Sequence, residues 1–273
     1  MEISFEFFPP KSDDGLTKLT ETALLLSTLK PEYFSVTFGA GGSTREHTPH
    51  AVNTIRKATG INTIPHLSCM GLTRSQLTAL LTEYKTNRIT NLLVLRGDKP
   101  SGSGLDGDFS HASDLVTFIR QQTGNTFHLT VSAYPEPHPE SKNTETELTH
   151  FVEKIKAGAN RAITQYFYNA DAYFYFCDRV RARGLDIPII PGIMPIINTE
   201  KLKRFSQFCG AEIPLWILRQ LDAYDNPADI KQFGFETVLA LCEKLLKGGA
   251  PGLHFYTLNM AEPAVALCQA LHH

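Results

Sequence analysis

Acids, amides, hydroxyls and imidazoles recur at one kind of place in this chain, at or just after the ends of short β-forming runs. Glu6 lies in EISFEFFPP, Thr37 near the end of YFSVTF, His66 in NTIPHLS and Asp98 at the end of NLLVLRGD. Tyr134 ends FHLTVSAY with His138 shortly after it, Gln165 lies in RAITQYFY, and Tyr256 and Asn259 close LHFYTLN; the seventh run instead ends in Pro191-Gly192 and Met194-Pro195. Glu6 is the misfit of the set. Ile3, Phe5 and Phe7 alternate as a strand should, and the carboxylate sits among aromatics just before Pro9 and Pro10. A carboxylate there should meet an apolar neighbourhood, which is costly unless the charge is used or partnered. Metal hydrolysis is poorly served, since no HxH pair or Glu-rich cluster supplies ligands, and no metal is expected. Schiff-base chemistry wants a strand lysine, and none of the runs carries one internally. Glu6 with Asp98 would qualify a glycosidase by composition, but such mouths are usually rich in tryptophan and the chain has one, Trp216. GAGGS at 39–43 suits a phosphate.

The elements that must hold these groups alternate. Between the eight runs lie amphipathic stretches such as LTKLTETALLLSTL, SQLTALLTEY, SDLVTFIRQQ and AYFYFCDRVRARG, with apolar residues at helical spacing. Ser43 or Thr44 and Thr73 mark helix starts, and Gly124 and Gly184 mark ends. Strands alternating with helices imply parallel pairing, and eight units predict a closed (β/α)8 TIM barrel over 1–273, a single catalytic domain. The interval from Pro191 to Leu253 is long enough for more than one helix, which predicts a helical excursion before the last strand. An open doubly wound sheet is the alternative, but the glycines of FGAGGST do not fit G-x-G-x-x-G and follow the second strand. A barrel's reactive face lies at the C-terminal ends of its strands, where the polar groups gather.

Bulk properties agree with a soluble intracellular protein. Hydrophobic content of 42%, charged content of 20% and a formal charge of −2 give no pull toward nucleic acid or membranes. Five scattered cysteines, odd in number and without a CxxC pair, favour reduced thiols and a cytoplasmic setting. A strand starting near residue 3 leaves no signal peptide, and no apolar run approaches the roughly 18–20 residues of a membrane span. Residue chemistry alone stops at a barrel enzyme with one buried acid and one loop acid.

The same residues resemble the methylenetetrahydrofolate reductase family. SFEFFPP at 4–10, SVTFGAGG at 35–42, PHLSC at 65–69 and LRGD at 95–98 carry the likeness. AYPEPHPE at 133–140, AGANRAITQYFY at 157–168, IIPGIMP at 189–195 and HFYTLN at 254–259 continue it in the family's order. The resemblance is to the catalytic barrel, without the regulatory domain of eukaryotic members. It implies FAD-dependent reduction of 5,10-methylenetetrahydrofolate to 5-methyltetrahydrofolate by NADH or NADPH, with NADH favoured, in a ping-pong cycle that supplies methyl groups for methionine synthesis. Relatives are often oligomers, so a homo-oligomer is left open.

Residue by residue, the resemblance makes Glu6 the general acid that opens the folate imidazolidine ring, and Asp98 the charge near flavin and folate. It implies FAD contacts at Thr37, Phe38, Ala40, His66, Arg96, Gly97, Asp98, Ala112, Tyr134, His138 and Lys154. Substrate contacts are implied at Gln165, Phe205, Lys201 and Thr37. The chain departs from the family at Glu153, where a basic residue is common, and at His150 and Glu147, where Asn and Asp are common. Lys201 replaces a frequent glutamine, and Met260 stands where arginine is expected after YTLN.

Overall fold

A computed structural model describes residues 1–38, 47–97 and 107–271. Period-two alternation builds the sheet from its first strand, β1 (Glu2–Phe7). Ile3, Phe5 and Phe7 are buried and join one large core with Leu19, Ala23 and Leu26 of helix α1 (Asp13–Ser27). Glu2, Ser4 and Glu6 are thereby left to the opposite face, the barrel interior. The other strands are β2 (Tyr33–Val36), β3 (Thr63–Ser68), β4 (Asn91–Leu95), β5 (His128–Ala133), β6 (Arg161–Tyr166), β7 (Ile189–Ile193) and β8 (Gly252–Tyr256). All pair in parallel in sequence order, and β8 returns to β1 with Phe255 beside Phe5 and Tyr256 beside Glu6. The eight predicted runs are these eight strands, closed as a barrel.

Two apolar layers hold the closure. The larger lies between strands and helices, where Phe5 stacks on Phe255 at 5.6 Å between ring centres and Phe7 meets Phe34 at 5.2 Å. The smaller fills the lumen with Tyr33, Ile64, Leu93, Ile163 and Ile190, all buried. Below it, Arg161 Nη1 pairs with Glu2 Oε1 at 2.8 Å, Arg161 Nε donates to Thr130 Oγ1, and the guanidinium lies 4.5 Å from the Tyr33 ring centre. The lumen is thus plugged from its floor to mid-height, and any cavity must open above.

Helix starts follow local side-chain chemistry. Thr73 opens α3 (Arg74–Thr86) with a reciprocal capping box to Gln76. Asn143 caps α5 (Thr144–Lys156), and Asn198 caps α7 (Thr199–Cys209). The start predicted at Ser43 or Thr44 lies outside the described residues; α2 is seen over His47–Thr59. Helices α4 (Ala112–Thr123) and α6 (Ala170–Ala182) end at or just before left-handed Gly124 and Gly184. The excursion before the last strand consists of α7, α8 (Leu215–Asp222) and α9 (Pro227–Lys247), and α10 (Glu262–Leu271) packs against α9. Among the described residues no helix is long and apolar enough to cross a membrane, and the five cysteines are unpaired.

Candidate active site

Above the lumen plug a cavity of about 620 Å³ opens at the C-terminal ends of the strands. Glu6 stands at its floor with its side chain 11% exposed. The apolar neighbourhood expected from sequence is not what meets its carboxylate. Alternation sends Phe5 and Phe7 outward, so two imidazoles face Glu6 instead. His66 Nε2 lies 3.3 Å from Glu6 Oε2, and His254 Nε2 lies 3.5 Å from the same oxygen.

The two histidines differ in their support. His254 is fully buried, its Nδ1 lies 2.8 Å from Ser4 Oγ, and its ring stacks near Tyr33 and edge-on to Tyr256. Neither ring nitrogen of buried His66 makes a hydrogen bond among the described residues, close as Nε2 comes to Glu6. Burial lowers the His66 pKa from 6.5 to about 4, outweighing the opposite pull of Glu6. Its imidazole is therefore neutral at pH 7, and the close approach to Glu6 is not an ion pair.

The backbone around Glu6 is clamped from β8. Thr257 Oγ1 donates to Glu6 O at 2.6 Å, and the Asn259 side chain accepts from Phe8 N and donates to Phe8 O. Leu258 and Asn259 adopt left-handed conformations that turn the chain back to reach β1. Asn259 thus serves the backbone rather than the cavity.

Most of the anticipated contacts converge. Thr37, Phe38, His66, Arg96, Gly97 and Ala112 line the cavity, as do Tyr134, His138, Lys154, Gln165 and Phe205. Gly97 sits at φ +84°, where a Cβ would overlap the Ser68 side chain, so the loop after β4 hugs the strand end. Arg96 Nη2 pairs with Glu140 Oε2 at 2.5 Å. Lys154 Nζ, buried, donates to Ser132 O at 2.6 Å; burial lowers its pKa to about 8 against the pull of Glu147. Tyr134 and His138 meet edge to face at 5.0 Å. Ala40 and Asp98 lie outside the described residues. Lys201 is exposed on the first turn of α7 and is not part of the cavity wall.

Sequence reasoning passed over His254, although it lies two residues before Tyr256 and hence on the same strand face. It also missed His111, whose ring lies 5.8 Å from that of His150 on the cavity wall. That pairing joins the start of α4 to α5, and no local pattern announces it. Among the described residues no cluster of side chains could hold a metal ion.

A parallel eight-stranded barrel with a glutamate side chain between two imidazoles at its C-terminal mouth defines the class, an α/β barrel with a polar cavity at the strand ends. The family model for methylenetetrahydrofolate reductase matches residues 1–272, and the chain belongs to that family. It is 38% identical over 272 residues to the 5,10-methylenetetrahydrofolate reductase of Escherichia coli (strain K12), covering 99% of this chain and 90% of that one. The enzyme of the same name from Buchnera aphidicola subsp. Schizaphis graminum is 40% identical over 272 residues, covering 98% and 91%. Methylenetetrahydrofolate reductase (NADH) 1 of Arabidopsis thaliana is 35% identical over 283 residues, covering 98% of this chain but 48% of that one. A solved structure of an uncharacterized protein from Clostridium thermocellum, described as binding two copies of 5-methyl-5,6,7,8-tetrahydrofolic acid, shares the fold. Its TM-score is 0.69 at 20% identity, covering 99% of this chain and 94% of that one.

Proposed function

We propose that the chain reduces 5,10-methylenetetrahydrofolate to 5-methyltetrahydrofolate with FAD and a reduced nicotinamide, Glu6 acting as the general acid. The position of Glu6 at the cavity floor, held through its backbone by Thr257, carries this reading. Its carboxyl proton goes to the departing nitrogen of the substrate's imidazolidine ring, which opens to an iminium able to accept hydride. His254, anchored by Ser4, steadies the carboxyl group. Gln165 and Phe205 contact substrate across the cavity, and nicotinamide and folate take turns there. The Arabidopsis relative carries NADH in its name, which supports NADH as donor.

The cavity suits FAD. The unpartnered ring nitrogens of His66 call for a polar ligand, and an anion beside Lys154 would offset the loss of proton affinity that burial causes. Thr37, Phe38, Arg96, Gly97, Ala112, Tyr134 and His138 would hold the cofactor with them. FAD, when bound, supplies hydride transfer from nicotinamide to folate. Asp98 is proposed to favour hydride departure by its negative charge. The product feeds methyl groups into methionine synthesis.

Stopped-flow kinetics test the assignment. Glu6→Gln is expected to leave flavin reduction by NADH within about twofold while slowing reoxidation by methylenetetrahydrofolate at least ~100-fold, the scale of general acid catalysis. Equal loss in both half-reactions would make Glu6 structural, and a purified protein that neither carries nor takes up FAD would end the flavin reading.

A further inference from the structure

One wall of the cavity belongs to α7, which precedes the last strand by two further helices and carries Phe205, Phe208 and Cys209 on its cavity side. Its middle is tied to β6, since Ser206 Oγ lies 3.0 Å from Tyr166 Oη and Cys209 Sγ donates to the same oxygen at 3.3 Å. Its end is tied to the loop after β5. Gly210 turns the chain at φ +75°, and a Cβ there would collide with the Pro139 ring. Two residues on, the Glu212 N–H donates to Glu136 Oε2 at 2.7 Å. Glu136 is half-buried and shares a small crevice with Gln165, Tyr166 and Cys209. A carboxyl group thus joins two separate elements behind a substrate-facing helix.

We propose that Glu136 is a positioning residue for the reductase reaction: its carboxyl group latches the end of α7 to the β5 loop and so sets where Phe205 stands relative to Gln165. The proposal rests on the function proposed above and deepens it. Glu136 itself faces the crevice behind the cavity and touches no reacting atom.

The latch has a pH signature. Among the described residues, the titratable groups around it are the Glu212 carboxylate, Tyr134, Tyr166 and Cys209. Burial raises the Glu136 pKa from 4.5 to about 7; the Glu212 N–H opposes this and the Glu212 carboxylate adds to it. An open loop would return the group toward its ordinary value, so the closed latch binds the proton more tightly than the open one. Closure is therefore favoured at low pH and weakens as pH rises from 4.5 to about 7, above which this group adds no further dependence.

Hydrogen exchange on the full flavin-loaded chain, with steady-state kinetics, tests this. Glu136→Ala is expected to lower protection of the 207–212 amides about tenfold, the worth of one hydrogen bond to a carboxyl group, with strand amides unchanged. The KM for methylenetetrahydrofolate should rise severalfold while kcat changes less. Glu136→Gln keeps an acceptor oxygen for the Glu212 N–H and should restore both; its protection should stay level with pH between 4.5 and about 7, where the wild type declines. Unchanged protection in Glu136→Ala, loosening without a KM change, failure of Gln to rescue, or wild-type protection that grows with pH would each overturn the proposal. An inactive wild-type chain would overturn the functional reading, while the exchange measurements would still decide whether the latch exists.

Discussion

Glu6 sits between two imidazoles held in different ways, and that difference is testable. His254 has its far nitrogen anchored by Ser4, whereas both nitrogens of His66 lack hydrogen-bond partners within the described chain. The depressed His66 pKa has a definite sign in stability. The folded state binds this proton less tightly than the unfolded chain does. His66 therefore contributes fully above its ordinary 6.5, and that contribution is lost as pH falls from there through about 4. The difference is worth roughly 3 kcal/mol. Thermal unfolding of the cofactor-free protein should show a steep loss of stability across this window, and His66→Gln should flatten it. An unaltered profile in the variant would assign the acid sensitivity to other groups. Glu6 itself was visible in the sequence because a carboxylate interrupts an aromatic strand. Its imidazole neighbours were harder to see, since β3 and β8 reach it only when the sheet closes.

At the scale of the element, β7 shows how one strand makes room for another's side chain. A Cβ at Gly192 would overlap both the Thr164 carbonyl oxygen and the Tyr256 ring. The missing side chain lets the Tyr256 hydroxyl donate to Thr164 O at 2.7 Å across the mouth. Gly192→Ala should cost about 1–3 kcal/mol by overpacking, measured by chemical denaturation. Displacing Tyr256 would also disturb the His254 ring that it meets edge-on, so folate turnover should fall further than stability alone explains. A variant with wild-type stability would show that the ring and the Thr164 carbonyl both give way freely. IIPGIMP marked this strand in the sequence, yet nothing in it said which side chain the glycine admits. The excursion is similar: the length from Pro191 to Leu253 announced extra helices, but not that α7 would face the cavity with Phe205 and turn Lys201 to solvent.

Across the whole molecule, chemistry at the mouth rests on a lumen closed from below. Glu2 and Arg161 pair across the floor, from β1 to β6, with Tyr33 against the guanidinium. Removing the cation leaves a carboxylate facing the lumen without its partner. Arg161→Met should destabilise the fold by about 2–4 kcal/mol, and adding Glu2→Gln should recover part of that loss. Because the pair lies below the apolar lumen layer, KM and the half-reaction rates should stay close to wild type in whatever fraction remains folded. Equal stability in the single and double variants would show that the pair is not coupled.

The alternation of eight strands with helices, the end of the barrel at which polar groups gather and the exceptional status of Glu6 are all legible in the amino-acid order alone. These are local matters: periodicity, caps and a charge in an apolar run. What surrounds the acid is set by the closed fold. Ring closure sets Tyr256 and His254 beside β1, β3 brings His66 to the same oxygen, and alternation takes the neighbouring phenylalanines away. It also decided which distant segments press on one another, as Glu136 does on Glu212. Contacts between residues far apart in the chain depend on barrel register and helix packing, which no short stretch of sequence encodes.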